Sequence, residues 1–154
     1  MLQRLSARVR PANPADAAAW LAMRHTLWPE GSIEEHREEI GKFFADKPGE
    51  PLAVLIAEDV EGRTIGFAEL SIRACAEGCR TNRIGYLEGW YVVPEARRRG
   101  VGRLLVEGAE QWARAQGCVE FASDSVEANS VSARAHRALG FTDVGLIRCY
   151  RKDL

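Results

Sequence analysis

The segment at residues 86–117 most constrains the fold, because it passes from strand-like to helix-like sequence through a short loop. Residues 86–93 form an apolar and aromatic run that Pro94 closes, which is typical of a β-strand. From residue 101 to 117 apolar residues recur at spacings of three and four, which indicates an amphipathic helix. The loop between them, residues 97–102, reads Arg-Arg-Arg-Gly-Val-Gly. The chain therefore turns from a strand into a helix at a basic, glycine-containing corner.

Such a corner predicts a binding site for an anion. The first amides of a helix have no partner within the helix, and the helix dipole adds roughly half a positive charge there. Glycine lets a ligand approach the backbone closely, and the neighbouring arginines stay charged at any ordinary pH. We expect the anion to be a phosphate, and more specifically a diphosphate.

Three phosphate-binding patterns compete for this loop. A P-loop would end in Gly-Lys-Ser or Gly-Lys-Thr, which the loop lacks. A dinucleotide fingerprint would need a third glycine where Leu105 stands. The third pattern, R-x-x-G-x-G, is the signature of pyrophosphate binding to coenzyme A, and it matches Arg97 to Gly102. Taken alone, these six residues also fit an exposed helix start with solvated arginines.

The rest of the chain predicts a mixed α/β fold with a sheet as its spine. Asn13 is expected to cap one helix and Ser32, with Glu35, the next. The predicted elements, in order, are a strand at 4–10, a helix at 14–27, a helix from 33 to the Lys47-Pro48-Gly49 stop, a hairpin at 52–57 and 64–73, the strand and helix described above, a strand at 118–122, a helix from Asn129 to 139 and a last strand at 144–152.

Composition limits the class of protein. The chain has 154 residues, which predicts one domain spanning 1–154. Its 21 basic and 22 acidic residues give no overall field that would attract nucleic acid or a membrane, so neither is expected as a partner. The charged start argues against a signal peptide, and the four cysteines lack zinc-like pairing. We expect a cytoplasmic protein with reduced thiols and no metal.

The order of elements, together with Arg97–Gly102, Asn129 and H-R-A-L-G-F at 136–141, resembles the GNAT family of acetyl-CoA-dependent N-acetyltransferases. The resemblance implies a mostly antiparallel central sheet flanked by helices, with the strands at 86–93 and 118–123 splayed apart. It also implies acetyl-CoA as the cosubstrate, with its pantetheine arm in the split. The residues implied to bind it are Trp90, Tyr91, Val92, Val93, Arg97, Arg98, Arg99, Gly100, Val101, Gly102, Arg103 and Asn129.

A closer resemblance covers most of the chain. The stretches at 24–29, 65–73, 87–94 and 122–125, and H-R-A-L-G-F with the later Y-R-K, look like those of aminoglycoside 6′-N-acetyltransferases. This implies acetyl transfer to the 6′-amino group of aminoglycoside antibiotics, and hence antibiotic resistance. It implies that Trp28, Glu88 and Asp124 line the substrate site. Dimers are common among these enzymes, often through the C-terminal strand, so we expect a homodimer.

The chemistry of amine acetylation suggests roles for three side chains. An amine attacks a thioester only after losing its proton. We predict Asp124 as the main amine contact and proton acceptor, with Glu88 orienting the substrate, although the two roles could be reversed. His136 stands where many GNAT enzymes have a tyrosine that protonates the leaving thiolate; it is either that acid or a packed helix residue. A bulge near 90–92 could supply an amide to the oxyanion.

Two departures from the resembled enzymes leave other functions open. The loop at 74–77 lacks the tyrosine that usually touches the antibiotic, and Gly145 stands where an acid is common. One alternative is a GNAT acetyltransferase for another small amine. A second is a CoA-binding module without catalysis.

Overall fold

A computed structural model describes residues 6–47 and 49–154. Its strands are β1 (Ala7–Pro11), β2 (Ala53–Asp59), β3 (Thr64–Arg73), β4 (Ile84–Val92) and β5 (Glu120–Ser123), and its helices are α1 (Ala17–Leu27), α2 (Ile33–Phe44), α3 (Val101–Ala115) and α4 (Ser130–Ala138). Short 3₁₀ turns precede α1 and follow β4. The predicted mixed α/β class is confirmed, whereas residues 4, 5 and 48 of the predicted elements lie outside the described residues.

The helix starts follow the local sequence signals. Asn13 accepts a hydrogen bond from the amide of Ala15, and the carboxylate of Asp16 accepts one from the amide of Asn13. At the start of α2, Ser32 and Glu35 exchange the reciprocal bonds of a capping box. These contacts satisfy amides that a helix leaves unpaired at its beginning, so both predicted caps are confirmed.

One five-stranded sheet, ordered β1-β2-β3-β4-β5, divides the molecule into two layers. The first three neighbouring pairs are antiparallel and the last, β4 with β5, is parallel. On one face α3 packs through fully buried Val101, Leu105 and Ala109. On the other face α1 and α2 enclose a second core around Trp20 and Phe67.

The strands β4 and β5 separate partway along β4. Their pairing runs from Ile84 opposite Glu120 to Leu87 opposite Ser123, where β5 ends. β4 continues to Val92 and stays paired with β3 on its other side. The backbone of residues 88–92 therefore faces an open wedge toward α4, which confirms the predicted splayed pair.

A bulge lies just where this separation begins. Leu70 of β3 pairs with Leu87 and Glu69 pairs with Gly89, so Glu88 is one residue extra in β4. The bulge predicted near 90–92 lies instead at Glu88. The extra residue turns both Glu88 and Gly89 toward α1 and α2, where they contact Arg73 and Trp28, respectively.

The predicted last strand at 144–152 is wrong. In the part of the chain that the structure describes, residues 141–154 contain neither helix nor strand. Leu146, Ile147 and Tyr150 are 72%, 69% and 86% exposed. Apolar and β-branched residues favour a strand only when a neighbour supplies the ladder of hydrogen bonds, and this segment pairs with none of the described strands.

Across residues 6–47 and 49–154, each helix is too short or too polar to cross a membrane.

Candidate active site

A cleft of about 340 Å³ opens on the α1–α2 side of the sheet, beside the bulge. Its walls come from the end of α1, the start of α2, the loop before β2, and strands β3 and β4. They consist of Arg24, Trp28, Gly31, His36, Glu50, Pro51, Glu69 and Glu88. Three of these eight residues are carboxylates, so the cleft suits a cationic ligand.

A second cavity, of about 500 Å³, lies at the β1–β2 edge of the sheet. Its acids, Glu58 and Asp59, are already paired with arginines, Glu58 with Arg8 and Arg10 and Asp59 with Arg63. This cavity lies at the opposite edge of the sheet from the wedge between β4 and β5, so the cleft beside the bulge is the better candidate.

The bulged residue Glu88 is held by three donors from β3. Both of its carboxylate oxygens accept from Arg73, Oε1 from Nε at 2.9 Å and Oε2 from Nη2 at 2.7 Å. The hydroxyl of Ser71 donates to Oε1 as well. Hydrogen bonds with Glu88 are the main reason that the pKa of Arg73 is raised above its ordinary value. Glu88 is thus a fixed, compensated carboxylate rather than a free one.

Tyr86 connects this pair to Asp124 at the end of the neighbouring strand. The guanidinium carbon of Arg73 lies 3.5 Å from the centre of the Tyr86 ring, and the Tyr86 hydroxyl donates to Oδ2 of Asp124 at 2.6 Å. Burial, followed by the hydrogen bond to Asp124, raises the pKa of Tyr86. The phenol therefore keeps its proton at neutral pH and acts as the donor.

Trp28, at the end of α1, forms one wall of the cleft. Its ring packs on Gly89, where an added Cβ would lie 2.5 Å from Cη2, and its face lies 5.1 Å from the guanidinium carbon of Arg24. Its carbonyl oxygen is 3.0 Å from Nε2 of His36. An indole fixed in this way offers a flat surface on which a sugar ring can pack.

A buried ion pair supports the floor beneath Trp28. Arg24 donates from Nε to Oε1 of Glu69 at 2.7 Å, and the same oxygen accepts from the indole of Trp20 at 2.9 Å. Burial raises the pKa of Glu69, while the charge of Arg24 opposes that rise. This pair is almost fully enclosed, so it fixes the cleft rather than binding a ligand from solvent.

The start of α3 presents a second, basic region on the open side of the wedge. Gly100 takes a positive φ of 92°, and the first intrahelical bond runs from the amide of Leu104 to the carbonyl of Gly100. The amides of residues 101–103 therefore precede the helical hydrogen bonds. Gly102 lies so close to the Trp90 ring that an added Cβ would be 3.0 Å from Cζ2.

This region fits the diphosphate of a coenzyme A molecule. The helix start supplies amides and the positive end of the dipole, and residues 97–99 supply guanidinium groups. The open edge of β4 supplies backbone groups of residues 88–92 that could pair with the amides of a pantetheine arm. The Arg97 Nε donates to the carbonyl of Val92 at 2.7 Å, which ties the loop to that edge.

His136 in α4 faces the point where β4 and β5 separate. Its Nδ1 donates to the carbonyl of Ser132 at 2.8 Å, and its Nε2 lies 2.9 Å from the hydroxyl oxygen of Ser123. Its ring also packs on Trp90 and Phe141. The Ser123 hydroxyl donates to the carbonyl of Leu87 at 3.3 Å, so His136 is linked to β4 through Ser123.

A profile of the acetyltransferase (GNAT) family matches residues 20–141 of this chain. The chain belongs to the GNAT family of acetyltransferases. The family predicted from the sequence is confirmed. The predicted resemblance depended on the sheet, the splayed strand pair and the Arg97–Gly102 corner.

Relatives within the family agree on one type of enzyme. An aminoglycoside N(6′)-acetyltransferase type 1 from Klebsiella aerogenes is 55% identical over 146 residues, which cover 95% of this chain and 96% of the relative. A protein of the same name from Stenotrophomonas maltophilia is 40% identical, with 95% and 93% covered. The predicted closer resemblance to aminoglycoside 6′-N-acetyltransferases is therefore confirmed as well.

Solved structures support the same relationship. Aminoglycoside N-acetyltransferase AAC(6′)-Iy in complex with CoA superposes with a TM-score of 0.88 at 32% identity, covering 100% of this chain and 99% of the other. AAC(6′)-Iy in complex with the bisubstrate analogue CoA-S-monomethyl-acetylneamine gives a TM-score of 0.87 at 33% identity, with 96% and 99% covered.

The structure gathers the predicted GNAT site residues into two groups. Trp28 and Glu88 line the cleft, and Asp124 is joined to them through Tyr86 and Arg73. The backbone of 90–93 and the corner at 97–103 lie along the wedge. Asn129 stands at the start of α4, where its side chain accepts from the amide of Ser132 at 3.0 Å. The roles predicted for these residues remain predictions.

Four polar residues beside the cleft were not predicted from the sequence: Arg24, Glu69, Arg73 and Tyr86. His36 lines the cleft at 5% exposure. One available signal was the alternation of Glu69, Ser71 and Arg73 on β3, which places three polar side chains on one face of a strand. A row of polar side chains on one face of an otherwise apolar strand indicates a binding or catalytic site.

Proposed function

We propose that this GNAT protein transfers the acetyl group of acetyl-CoA to the 6′-amino group of aminoglycosides. The observation that carries the proposal is the position of two carboxylates, Glu88 and Asp124, just beyond the last paired residues of the two strands that splay apart. The wedge between those strands is the route along which a thioester would reach them. Relatives that carry the aminoglycoside N(6′)-acetyltransferase name across nearly the same length support this substrate class.

Asp124 is the proposed proton acceptor. The 6′-ammonium group binds at its carboxylate and loses a proton to it, directly or through water, because an alkyl amine is mostly protonated at neutral pH. The free amine then attacks the thioester carbon. A carbon–nitrogen bond forms, the carbon–sulfur bond breaks, and the sulfur leaves as the thiolate of CoA.

The basic corner holds the other end of the thioester substrate. Amides of residues 101–103 and the arginines at 97–99 bind the diphosphate, and the open edge of β4 aligns the pantetheine arm. Trp28 provides the surface on which the aminoglycoside ring packs. The cleft and the wedge meet at Glu88, so the two substrates approach each other at the bulge.

Steady-state assays with acetyl-CoA and tobramycin test the proposal by following the release of CoA. We expect turnover by the wild-type protein, with loss of about 100-fold or more in kcat/KM for Asp124→Asn. Asp143→Asn is the matched control, because Asp143 pairs with Arg137 on the exposed surface. No turnover of tobramycin or kanamycin, combined with turnover of a polyamine, would replace this function by acetylation of another small amine.

We also propose that the enzyme is a homodimer that covers the C-terminal segment. The exposed apolar side chains of Leu146, Ile147 and Tyr150 have no cover within the described chain, and a second copy can supply the missing strand partner. Sedimentation of the whole protein should give twice the mass of the chain. Replacing both Leu146 and Ile147 with lysine should give the monomer mass, and a monomeric wild-type protein would contradict the proposal.

A further inference from the structure

The side chain of Arg73, at the end of β3, lies between the two carboxylates of the proposed site. Its guanidinium makes a two-point contact with Glu88, through Nε and Nη2, and this geometry is among the strongest that a side-chain ion pair adopts in proteins. The Arg73 side chain is 39% exposed and that of Glu88 is 18% exposed. A cation that is part of the protein therefore already occupies the position in which a substrate ammonium would meet Glu88.

The same guanidinium is fixed from a second direction. It stacks over Tyr86 at 3.5 Å from the ring centre, and the hydroxyl of that ring donates to Asp124. Stacking and a two-point ion pair together restrict a side chain that would otherwise have many rotamers. Arg73 is therefore a built component of the site rather than a mobile surface arginine.

The two carboxylates consequently differ in charge compensation. Glu88 and Arg73 sum to zero charge, whereas Asp124 accepts, among the contacts of the described residues, only the hydrogen bond of a neutral phenol through Oδ2. Arg73 bonds Glu88 directly through two nitrogens, whereas its link to Asp124 runs through the ring and hydroxyl of Tyr86. Arg73, Glu88 and Asp124 together carry one net negative charge, and the uncompensated carboxylate of the three is Asp124.

Building on the proposed function, we propose that Arg73 is the resident counter-cation of Glu88 and thereby directs the substrate ammonium to Asp124. Glu88 is then left to accept hydrogen bonds or to orient the sugar, not to take the proton. Arg73 is a positioning residue, since it acts through Glu88 and Tyr86. It also sets the net charge that the cleft presents to a polycationic substrate.

A charge-balanced set of variants tests this assignment: Arg73→Met, Glu88→Gln and the double variant, with tobramycin and acetyl-CoA as substrates. Arg73→Met keeps the apolar stem over Tyr86 but raises the local negative charge from one to two. We expect KM for tobramycin to fall by about three- to tenfold, which corresponds to about 1 kcal/mol, the energy between two unit charges about 4 Å apart that are fully exposed to water. kcat should fall as well, since the ammonium is then shared with Glu88.

The other variants should raise KM for tobramycin or return it to the wild-type value. Glu88→Gln leaves Arg73 uncompensated, so KM should rise by about three- to tenfold. The double variant returns the site to one negative charge, so its KM should lie within about threefold of wild type. Arg73→Lys keeps the charge and should also keep KM within about threefold, even if the loss of the two-point contact lowers the thermal midpoint.

Arg114→Met is the matched control, because Arg114 pairs with Glu110 at 3.3 Å on the exposed side of α3. Its KM for tobramycin should stay at the wild-type value. A KM that rises in both Arg73→Met and Arg73→Lys, or that differs from the wild-type value by more than about tenfold in the double variant, would overturn the counter-cation role while leaving the acetyl transfer intact. A wild-type protein without turnover would remove the proposed function, and this inference with it.

Discussion

Nε2 of His36 lies 3.0 Å from the carbonyl oxygen of Trp28 and fixes the residue that forms the wall of the cleft. Nδ1 of the same ring lies 2.9 Å from Nη1 of Arg24, which can only donate, so the proton of the neutral ring must be on Nε2. Gly31 makes room for the imidazole, because an added Cβ there would be 2.9 Å from Nε2. The position of Trp28 is thus determined by a hydrogen-bonded chain from Glu69 through Arg24 and His36.

Removing this support should weaken aminoglycoside binding. His36→Ala leaves Arg24 and the Trp28 carbonyl with one partner fewer, which should cost about 1–3 kcal/mol in the free energy of unfolding. It should also raise KM for tobramycin, while KM for acetyl-CoA stays unchanged. His36→Gln can still donate to the carbonyl and should retain more of the binding. Equal KM values for tobramycin in all three proteins would contradict the role of His36.

A methyl group at Gly89 should displace the Trp28 ring. Gly89→Ala places a Cβ 2.5 Å from Cη2, closer than any real contact, so the indole must move out of its position. We expect KM for tobramycin to rise, with a loss of about 1–3 kcal/mol in stability from overpacking. Gly41→Ala is the control, since its Cβ would meet no atom within 4 Å and alanine favours a helix. An unchanged KM for Gly89→Ala would show that the Trp28 ring does not contact the substrate.

The backbone at Gly100 should matter more for acetyl-CoA than for stability. Gly100→Ala must adopt a φ of 92°, which costs about 1–2 kcal/mol and shifts the amides that follow. Gly117→Ala imposes a similar strain at a φ of 80°, at the other end of the same helix. Both variants should lose similar stability, but only Gly100→Ala should raise KM for acetyl-CoA. Equal KM values in the two variants would indicate that the diphosphate binds elsewhere.

The ion pair between Arg10 and Asp16 should make stability depend on pH. The guanidinium of Arg10, at 2.8 and 2.9 Å, is the main reason that the pKa of Asp16 lies below its ordinary value. A carboxylate whose pKa is lowered by folding stabilises the fold at any pH above its pKa in the unfolded chain. This contribution is lost as the pH falls through its pKa in the folded protein. Asp16→Asn should therefore lower the thermal midpoint by about 2–4 °C near pH 7.

The difference between Asp16→Asn and wild type should shrink as the pH falls below about 4, where the aspartate of the unfolded chain begins to take up a proton, and should vanish once the folded carboxylate is protonated as well. Asp153→Asn serves as the control, because that exposed carboxylate pairs with Arg151 near the end of the chain. It should match the wild-type midpoint at each pH. A constant difference for Asp16→Asn down to acidic pH would show that its charge does not contribute.

Local signals in the sequence were enough to predict where the helices start and where the corner at Arg97–Gly102 lies. The capping of α2 depends on Ser32 and Glu35, which are three residues apart, and the α3 corner depends on consecutive residues. Interactions of this range are encoded in one stretch of chain, so a sequence shows them directly.

Contacts between distant residues could not be predicted in the same way. Arg73 and Glu88 are 15 positions apart, and they meet only because the register of β3 and β4 and the bulge bring them together. The predicted strand at 144–152 failed for the opposite reason. Its residue types favour a strand, but a strand needs a partner, and whether one exists cannot be read from the segment itself.

The extra residue at Glu88 also limits how this strand can vary. Side chains along a strand alternate between the two faces of the sheet. One added residue therefore moves every side chain beyond it to the opposite face. Trp90 consequently packs with the α3 core, and Tyr91 with the core under α1 and α2. Deleting one residue between Leu87 and Val92 would send each ring to the opposite layer. This stretch can therefore diverge through substitutions, but its length is fixed.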